Sequence, residues 1–295
     1  MDAGVFEKWM QRSLADFEGA LDGFVPADAP AGLGEAMRYA VLDGGKRLRP
    51  LLALAACEAV QGQHEAAMRA ACALELIHAY SLVHDDMPCM DDDVLRRGKP
   101  TTHVQYGEAV AMLAGDAMQA LAFEVLTPDE GVDPALQARL CALLARSAGH
   151  AGMAGGQAID LASVGKRLDE PTLRDMHRRK TGVLLQASVM MGAACGAHDA
   201  RAEAALSDYG AALGLAFQVV DDILDVTQDS AVLGKTAGKD QEADKPTYVS
   251  VLGLEPARRL AQDLRDQAHH ALSASGLTHT AWLSLLADMV VERDN

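Results

Sequence analysis

Aromatic residues are scarce in this chain: five Phe, five Tyr and two Trp among 295 residues, 4% of the whole, against an apolar fraction of 49%. The apolar mass is therefore mostly Ala, Leu, Val and Met, small or flexible residues suited to helix-on-helix packing, and extensive β-structure is not expected from it. The five cysteines (Cys57, Cys72, Cys89, Cys141, Cys195) are odd in number and form no C-x-x-C pair. That argues against a disulfide framework and a zinc ribbon, and a reducing, cytoplasmic setting fits best. Basic residues are outnumbered, 26 Lys and Arg against 42 Asp and Glu, for a net charge of −16. No nucleic-acid partner is expected, because affinity for a phosphate backbone comes mainly from Lys and Arg. No uncharged apolar run reaches the roughly 18 residues of a membrane span. The start, Met1-Asp2-Ala3-Gly4-Val5-Phe6-Glu7-Lys8, lacks a basic stretch followed by an apolar one, so a soluble, unprocessed chain without a membrane span is expected.

What is present is helical periodicity from end to end. It predicts helices near 3–21, 33–43, 48–60, 64–86, 101–126, 134–149, 170–196, 201–227, 256–273 and 279–292, with no convincing strand. Gly and Pro punctuate the gaps, and Glu170-Pro171 and Glu255-Pro256 read as helix starts with Pro in the first turn. No linker is visible, so one domain spanning 1–295 is expected. The longest gap holds Gly234-Lys235-Thr236-Ala237-Gly238-Lys239-Asp240, and a loop of that length in a helical protein is usually functional or disordered.

Two aspartate clusters dominate the chemistry: Asp85-Asp86-Met87-Pro88-Cys89-Met90-Asp91-Asp92-Asp93 and Asp221-Asp222-Ile223-Leu224-Asp225. Carboxylates so crowded repel one another, and hard divalent cations bridging to a phosphorylated ligand would neutralise them. Pro88 cannot continue the first helix, so the chain should turn near Met87 and bring Asp91 back beside Asp85. The second cluster needs no turn, since Gln218, Asp221, Asp222 and Asp225 recur at i, i+3, i+4 and i+7 of one face. Either cluster alone could be a solvated helix end; two together weaken that reading.

Cationic groups stand where a polyanion would want them: Lys46, Arg47 and Arg49 after Gly44-Gly45, then Arg96-Arg97, Lys180-Thr181 and Lys235. Three other patterns fail on context. Gly234-Lys235-Thr236 lacks the earlier glycine and the strand of a P-loop. Gly32-Leu33-Gly34 lacks the third glycine of a dinucleotide site. Glu75-x-x-His78 is a single copy where a di-iron bundle needs two.

These residues resemble the class I trans-isoprenyl diphosphate synthases, in particular the short-chain bacterial farnesyl diphosphate synthase (geranyltranstransferase) type. The resemblance rests on seven ordered motifs: Gly44 to Pro50, His78 to Asp86, Asp91 with Arg96-Arg97-Gly98, Gly155-Gly156-Gln157-Ala158-Ile159-Asp160, Lys180-Thr181, Phe217 to Asp225, and Gly234 to Asp240. It implies an all-α isoprenoid synthase fold, about a dozen helices around a deep central cavity, usually as a homodimer. It also implies three Mg²⁺ ions, with Mn²⁺ as a substitute, held directly by Asp85, Asp91 and Asp221 and supported by Asp86, Asp222 and Asp225. Arg96, Lys180, Thr181, Gln218 and Lys235 would hold the allylic diphosphate, and Gly45, Lys46, Arg49, His78 and Arg97 the isopentenyl diphosphate. Asp85, Asp86, Arg96, Lys180, Asp221 and Lys235 would be the catalytic set.

The implied reaction is Mg²⁺-dependent head-to-tail condensation through an allylic cation, which needs no protein nucleophile and fits the lack of a Ser-His-Asp or Cys-His arrangement. Tyr80, five places before Asp85 and followed by small Ser81, would shorten the cavity for the growing chain. The pattern favours farnesyl diphosphate over geranylgeranyl diphosphate, with geranyl diphosphate behind both; Tyr80 as an ordinary packed ring is the alternative. A terpene cyclase and a non-catalytic partner of another synthase are the competing readings. The second cluster and the Lys46, Arg49 and His78 group argue against the cyclase.

Overall fold

The computed structural model describes residues 3–42, 44–166, 168–227 and 246–293. These fold into twelve helices of eight residues or more and two of five, with almost no strand, as the sparse aromatics and helical periodicity predict. In chain order the helices are α1 (Ala3–Phe24), α2 (Leu33–Val41), α3 (Leu48–Ala59), α4 (His64–Asp85), α5 (Thr102–Tyr106), α6 (Glu108–Leu126) and α7 (Pro134–Ala148). There follow α8 (Met153–Ser163), α9 (Glu170–His177), α10 (Val183–Ala194), α11 (Ala200–Thr227), α12 (Tyr248–Leu252), α13 (Leu254–Ala274) and α14 (Ala281–Glu292).

Small side chains let these helices approach closely. α4 is buried nearly all round through Ala66, Ala67, Ala70, Ala71, Leu74, Leu76 and Ile77, and packs against α3, α6 and α10. A Cβ on Gly192 of α10 would stand 2.0 Å from the Ala53 carbonyl oxygen of α3, so backbone meets backbone there. Each fully buried Leu or Ile contributes about 1.5–3 kcal/mol. The two ends of the chain meet on α3: Trp9 of α1 stacks on Trp282 of α14 at 5.1 Å, and both indole N–H groups donate to the Glu58 carboxylate, at 2.8 and 2.9 Å.

Four features differ from the sequence expectation. The predicted 101–126 helix breaks at Gly107, whose φ of 85° leaves the helical region and separates α5 from α6. The predicted 170–196 helix is interrupted by a π-helical turn, Arg178–Gly182. α8 and α12 fall where no helix was expected. Finally, Leu95–Arg96 and Lys99–Pro100 pair as a minimal antiparallel hairpin, with Arg97 (φ 53°) and Gly98 (φ 77°) making the tight turn between them.

Two helices are long and apolar enough to cross a membrane by length and composition alone. The apolar window of α4 is 67% buried within the fold, whereas that of α6 is only 39% buried. α6 therefore has an apolar face turned outward, where Met112 and Leu113 are exposed.

Candidate active site

The first aspartate cluster is built by the end of α4. Pro88 stops the helix, and the chain doubles back: Asp91 N–H donates to the Asp85 carbonyl at 2.9 Å and Asp93 N–H to the Asp86 carbonyl at 3.1 Å. The return expected near Met87 is thus present, and it sets Asp91 beside Asp85. Burial, with Asp91 and Asp86 adding to it and Lys180 and Arg96 opposing, pushes the Asp85 carboxyl up to about 6. Asp86 points the other way. It is 2% exposed and gripped by Arg96, whose Nε lies 3.0 and 2.8 Å from the two carboxylate oxygens and whose Nη2 lies 2.5 Å from one of them. Burial works against the Arg96 charge, but Asp86, Asp85 and Asp91 outweigh it.

The second cluster lies on α11, and here the single face expected for Gln218, Asp221, Asp222 and Asp225 needs correction. Gln218, Asp221 and Asp225 line the cavity, while Asp222 is turned inward, 2% exposed. Successive helical residues are about 100° apart, which separates Asp222 from Asp221. Asp222 accepts from Gln218 Nε2 at 2.8 Å and from the Tyr248 backbone N–H at 2.7 Å. Gln218 in turn accepts from the Thr181 hydroxyl at 3.0 Å, so a chain from α12 to the π-turn holds Thr181 and Gln218 in place. Each cluster divides its labour in the same way. Asp85, Asp91, Asp221 and Asp225 face the cavity; Asp86 and Asp222 anchor the side chains beside them.

The cations converge on the same space. Lys180, in the π-turn, is held by Asp160 of α8 at 2.5 Å. Arg49, in the first turn of α3, is buried and lines the cavity with its Nε unpartnered among the described residues. Burial pushes Arg49 down, Glu75 opposes and Arg97 adds to it, so an incoming anion would relieve the site. His78 lies on the same wall and is driven well below its ordinary value by burial and by Arg49, Arg97, Arg96 and Arg47, so it is neutral at pH 7 and can donate one hydrogen bond. Arg97 reaches back to the Gly44 carbonyl, and a Cβ on Gly45 (φ 122°) would come within 2.7 Å of its guanidinium. Gly45 therefore holds no substrate group by its side chain; its lack of one makes room for Arg97. Lys46 is exposed and does not line this cavity.

Arg47, expected among the phosphate-binding cations, belongs to the core instead. Its φ of 47° turns the side chain inward, where it pairs with Glu18 at 2.7 Å and with Glu75 at 2.9 Å, donates to the Val41 carbonyl and lies over the Phe17 ring. This pair also disposes of Glu75 as a metal ligand. Arg47→Met should lower the unfolding free energy by about 3–5 kcal/mol, because it strands Glu75 as a buried charge. Urea denaturation reads that loss; unchanged stability with a raised substrate KM would instead return Arg47 to the substrate site.

The cavity has a volume of about 790 Å³. Besides the acidic and basic groups it is lined by Leu82, Met153, Ala154, Ala158, Leu161, Val164 and Phe217, with Tyr80, Ser81 and His84 on the α4 side. Tyr80 meets His84 edge-on at 5.7 Å, and His84 lies 3.1 Å from the Met112 carbonyl of α6. Lys235 and the whole segment Gly234 to Asp240 lie outside the described residues.

Sequence reasoning gave no role to three residues. Asp160 and Gln157 sit in a quoted motif with no assigned task. Arg293 lies over the Phe217 ring at 4.1 Å, donates to the Phe217 carbonyl at 2.9 Å and approaches Asp221 at 3.5 Å. A residue at the end of α14, far in sequence from α11, carries no signal for that placement.

Carboxylates on two helices, cations between them and an apolar wall beyond define an all-α enzyme for diphosphate esters that carry a hydrocarbon tail. Residues 30–275 match the family model described as "Polyprenyl synthetase". Over 292 residues the chain is 46% identical to the geranylgeranyl pyrophosphate synthase, chloroplastic, of Capsicum annuum, covering 98% of this chain and 79% of that one. The apo structure of an FPP/GFPP synthase from Zymomonas mobilis is 41% identical with a TM-score of 0.87, covering 98% of this chain and all of that one. A geranyltransferase from Helicobacter pylori, complexed with magnesium and isoprenyl diphosphate, is 34% identical with a TM-score of 0.84, covering 96% and 95%. The chain belongs to the polyprenyl synthetase family, the class I trans-isoprenyl diphosphate synthases, and is a prenyltransferase.

Proposed function

We propose that the chain condenses isopentenyl diphosphate with dimethylallyl or geranyl diphosphate, head to tail, and stops at farnesyl diphosphate. The observation that carries this reading is one cavity lined by residues of both aspartate clusters, by cations and by apolar side chains, with Tyr80 and His84 in its α4 wall. Arg96, Lys180, Thr181 and Gln218 bind the allylic diphosphate, joined by Lys235 from outside the described residues. Arg49 and His78 bind isopentenyl diphosphate, joined by Lys46 and Arg97. Arg96 and Lys180 stabilise the negative charge that develops on the departing diphosphate. Leu82, Phe217 and the α8 side chains keep water from the allylic cation.

The acidic donors suit Mg²⁺. They are hard oxygens, and the Asp85 carboxyl, raised by burial with Asp91 and Asp86 adding to it, gains from a cation. Among the described residues no three His, Cys, Asp or Glu gather into a ready-made cage. Mg²⁺ commonly binds through one or two carboxylates and keeps water and substrate phosphate as its other ligands. Asp85, Asp91, Asp221 and Asp225 would hold it, in an expected three ions with Mn²⁺ as substitute; once bound, Mg²⁺ neutralises the leaving diphosphate. The reaction assigns no step to a protein nucleophile.

A second reading, geranylgeranyl diphosphate as product, is favoured by the 46% identity to a geranylgeranyl pyrophosphate synthase. Incubation with dimethylallyl and isopentenyl diphosphates and Mg²⁺, then chromatography of the dephosphorylated products, separates the two. Farnesol as the main alcohol supports the proposal; geranylgeraniol as the main alcohol selects the second reading.

We propose further that the chain acts as one domain and as a cytoplasmic homodimer. The pairing of α1 with α14 supports one domain, and five free cysteines suit a reducing compartment. The outward apolar residues Met112 and Leu113 of α6, with exposed Val104 of α5 beside them, support a second copy as partner. Met112→Glu with Leu113→Glu should convert a dimer to monomer in sedimentation velocity; an unmodified protein that sediments as a monomer would refute the assembly.

A further inference from the structure

The α4 wall of the cavity is shaped by α6 as well as by α4 itself. Tyr80 and His84 stand at i and i+4 of α4, on one side of that helix, and both line the cavity. α6 packs on α4 and buries Ala111, Ala114, Gly115, Met118 and Ala122. At Gly115 the fit leaves no room for a side chain. A Cβ there would stand 2.1 Å from His84 Nε2, 2.6 Å from Cδ2 and 2.8 Å from Cε1. The obstacle is the imidazole and not a backbone, so Gly115 is a notch in α6 that receives the His84 ring.

Two further contacts hold the ring in that notch. His84 Nε2 lies 3.1 Å from the Met112 carbonyl, which can only accept, so Nε2 carries a proton and donates it. Rotating the ring would forfeit this bond. The same ring meets Tyr80 edge-on, with centroids 5.7 Å apart and planes at 75°. Tyr80 for its part is tied to α6 by the hydrogen bond between its hydroxyl and Gln119. It cannot yield to His84 without losing that bond.

We propose that His84, seated in the Gly115 notch, is a specificity-determining residue that fixes, together with Tyr80, how far the hydrocarbon product can grow. This rests on the reading of the cavity as the site of prenyl transfer, and it holds whether the parent stops at C15 or at C20. The imidazole fills space in the wall that a longer chain would otherwise enter. The notch decides how much of the cavity the ring takes: the deeper it sits in α6, the more room is left. A methyl on Gly115 would drive the ring out of α6. With Tyr80 tied to Gln119, the space open to the displaced ring is the cavity.

Dimethylallyl and isopentenyl diphosphates with Mg²⁺, followed by chromatography of the dephosphorylated products, compare the parent with His84→Ala, Gly115→Ala and the double variant. His84→Ala should lengthen the main product by one five-carbon unit, and Gly115→Ala should shorten it by one. The double variant should match His84→Ala, because the added methyl then meets no ring. A double variant that returns to the parental length would mean that Gly115 acts apart from His84, and would overturn the proposal. The allylic KM should stay within about threefold throughout. His84→Ala adds no atoms, so it decides the matter alone if Gly115→Ala does not fold. An unchanged product length in His84→Ala overturns the proposal. So does a fall in its kcat of more than about 100-fold at unchanged length, which would make His84 a support for Asp85. An unmodified protein with no prenyl transfer would overturn instead the reading of the cavity on which the proposal rests.

Discussion

Asp85→Asn should cut turnover on the order of 10³-fold while leaving the metal-free protein as stable as the parent or more so. The two effects have one origin. The Asp85 carboxyl sits in a crowded, partly desolvated place, and its folded value is raised from the ordinary 3.8 to about 6. Above pH 4 the unfolded chain has already released this proton while the folded chain retains it. Folding stability from this group is therefore lost as pH rises from about 4 to about 6, and stays lost above. Asn cannot ionise, so the variant should gain on the parent across that window and match it below pH 4. Thermal unfolding in EDTA between pH 3.5 and 7.5 reads this directly. Asp221→Ala should also abolish turnover without loss of metal-free stability. A marked drop in the unfolding midpoint of either variant without metal would make these carboxylates structural.

Tyr80→Ala should move the main product from C15 to C20 or longer. Tyr80 lines the cavity, lies edge-on to His84 and is placed by α4, a helix buried along most of its length. Its hydroxyl bonds to Gln119 of α6; burial raises its ionisation above the ordinary value, with the Gln119 bond opposing and Asp85 adding. Removing the ring extends the apolar space without touching either aspartate cluster, so KM for the allylic starter should change little. An unaltered product spectrum would return Tyr80 to the status of a packed aromatic, and the stop would then have to come from elsewhere in the cavity wall.

Much of this site was legible before any coordinates, because its chemistry is concentrated in local patterns. Pro88 after Asp85-Asp86 forces the return that carries Asp91 home, and helical spacing puts Gln218, Asp221 and Asp225 of α11 on one face. What was not legible depends on contacts between distant segments. Arg47 reads like Arg49 and Lys46 until its positive φ and the positions of Glu18 and Glu75 show that it points into the core. Asp222 reads like Asp221 until Tyr248 N–H and Gln218 are found on it. α8 was not expected; Gly152 precedes it and Gly155 and Gly156 lie within it, and glycine has a low helix propensity. In the fold they are close-approach positions; a Cβ on Gly155 would stand 1.9 Å from the His150 carbonyl oxygen.

The central claim is that the two aspartate clusters work as one diphosphate site. Calorimetric binding of a non-ionising thio-analogue of dimethylallyl diphosphate with Mg²⁺ tests it most directly, applied to the unmodified protein, Asp85→Asn, Asp221→Asn and the double variant. One shared site predicts Mg²⁺-dependent binding that either single change nearly abolishes, with the double variant scarcely worse than each single one. Affinity losses that simply add, or binding indifferent to Mg²⁺, would contradict it.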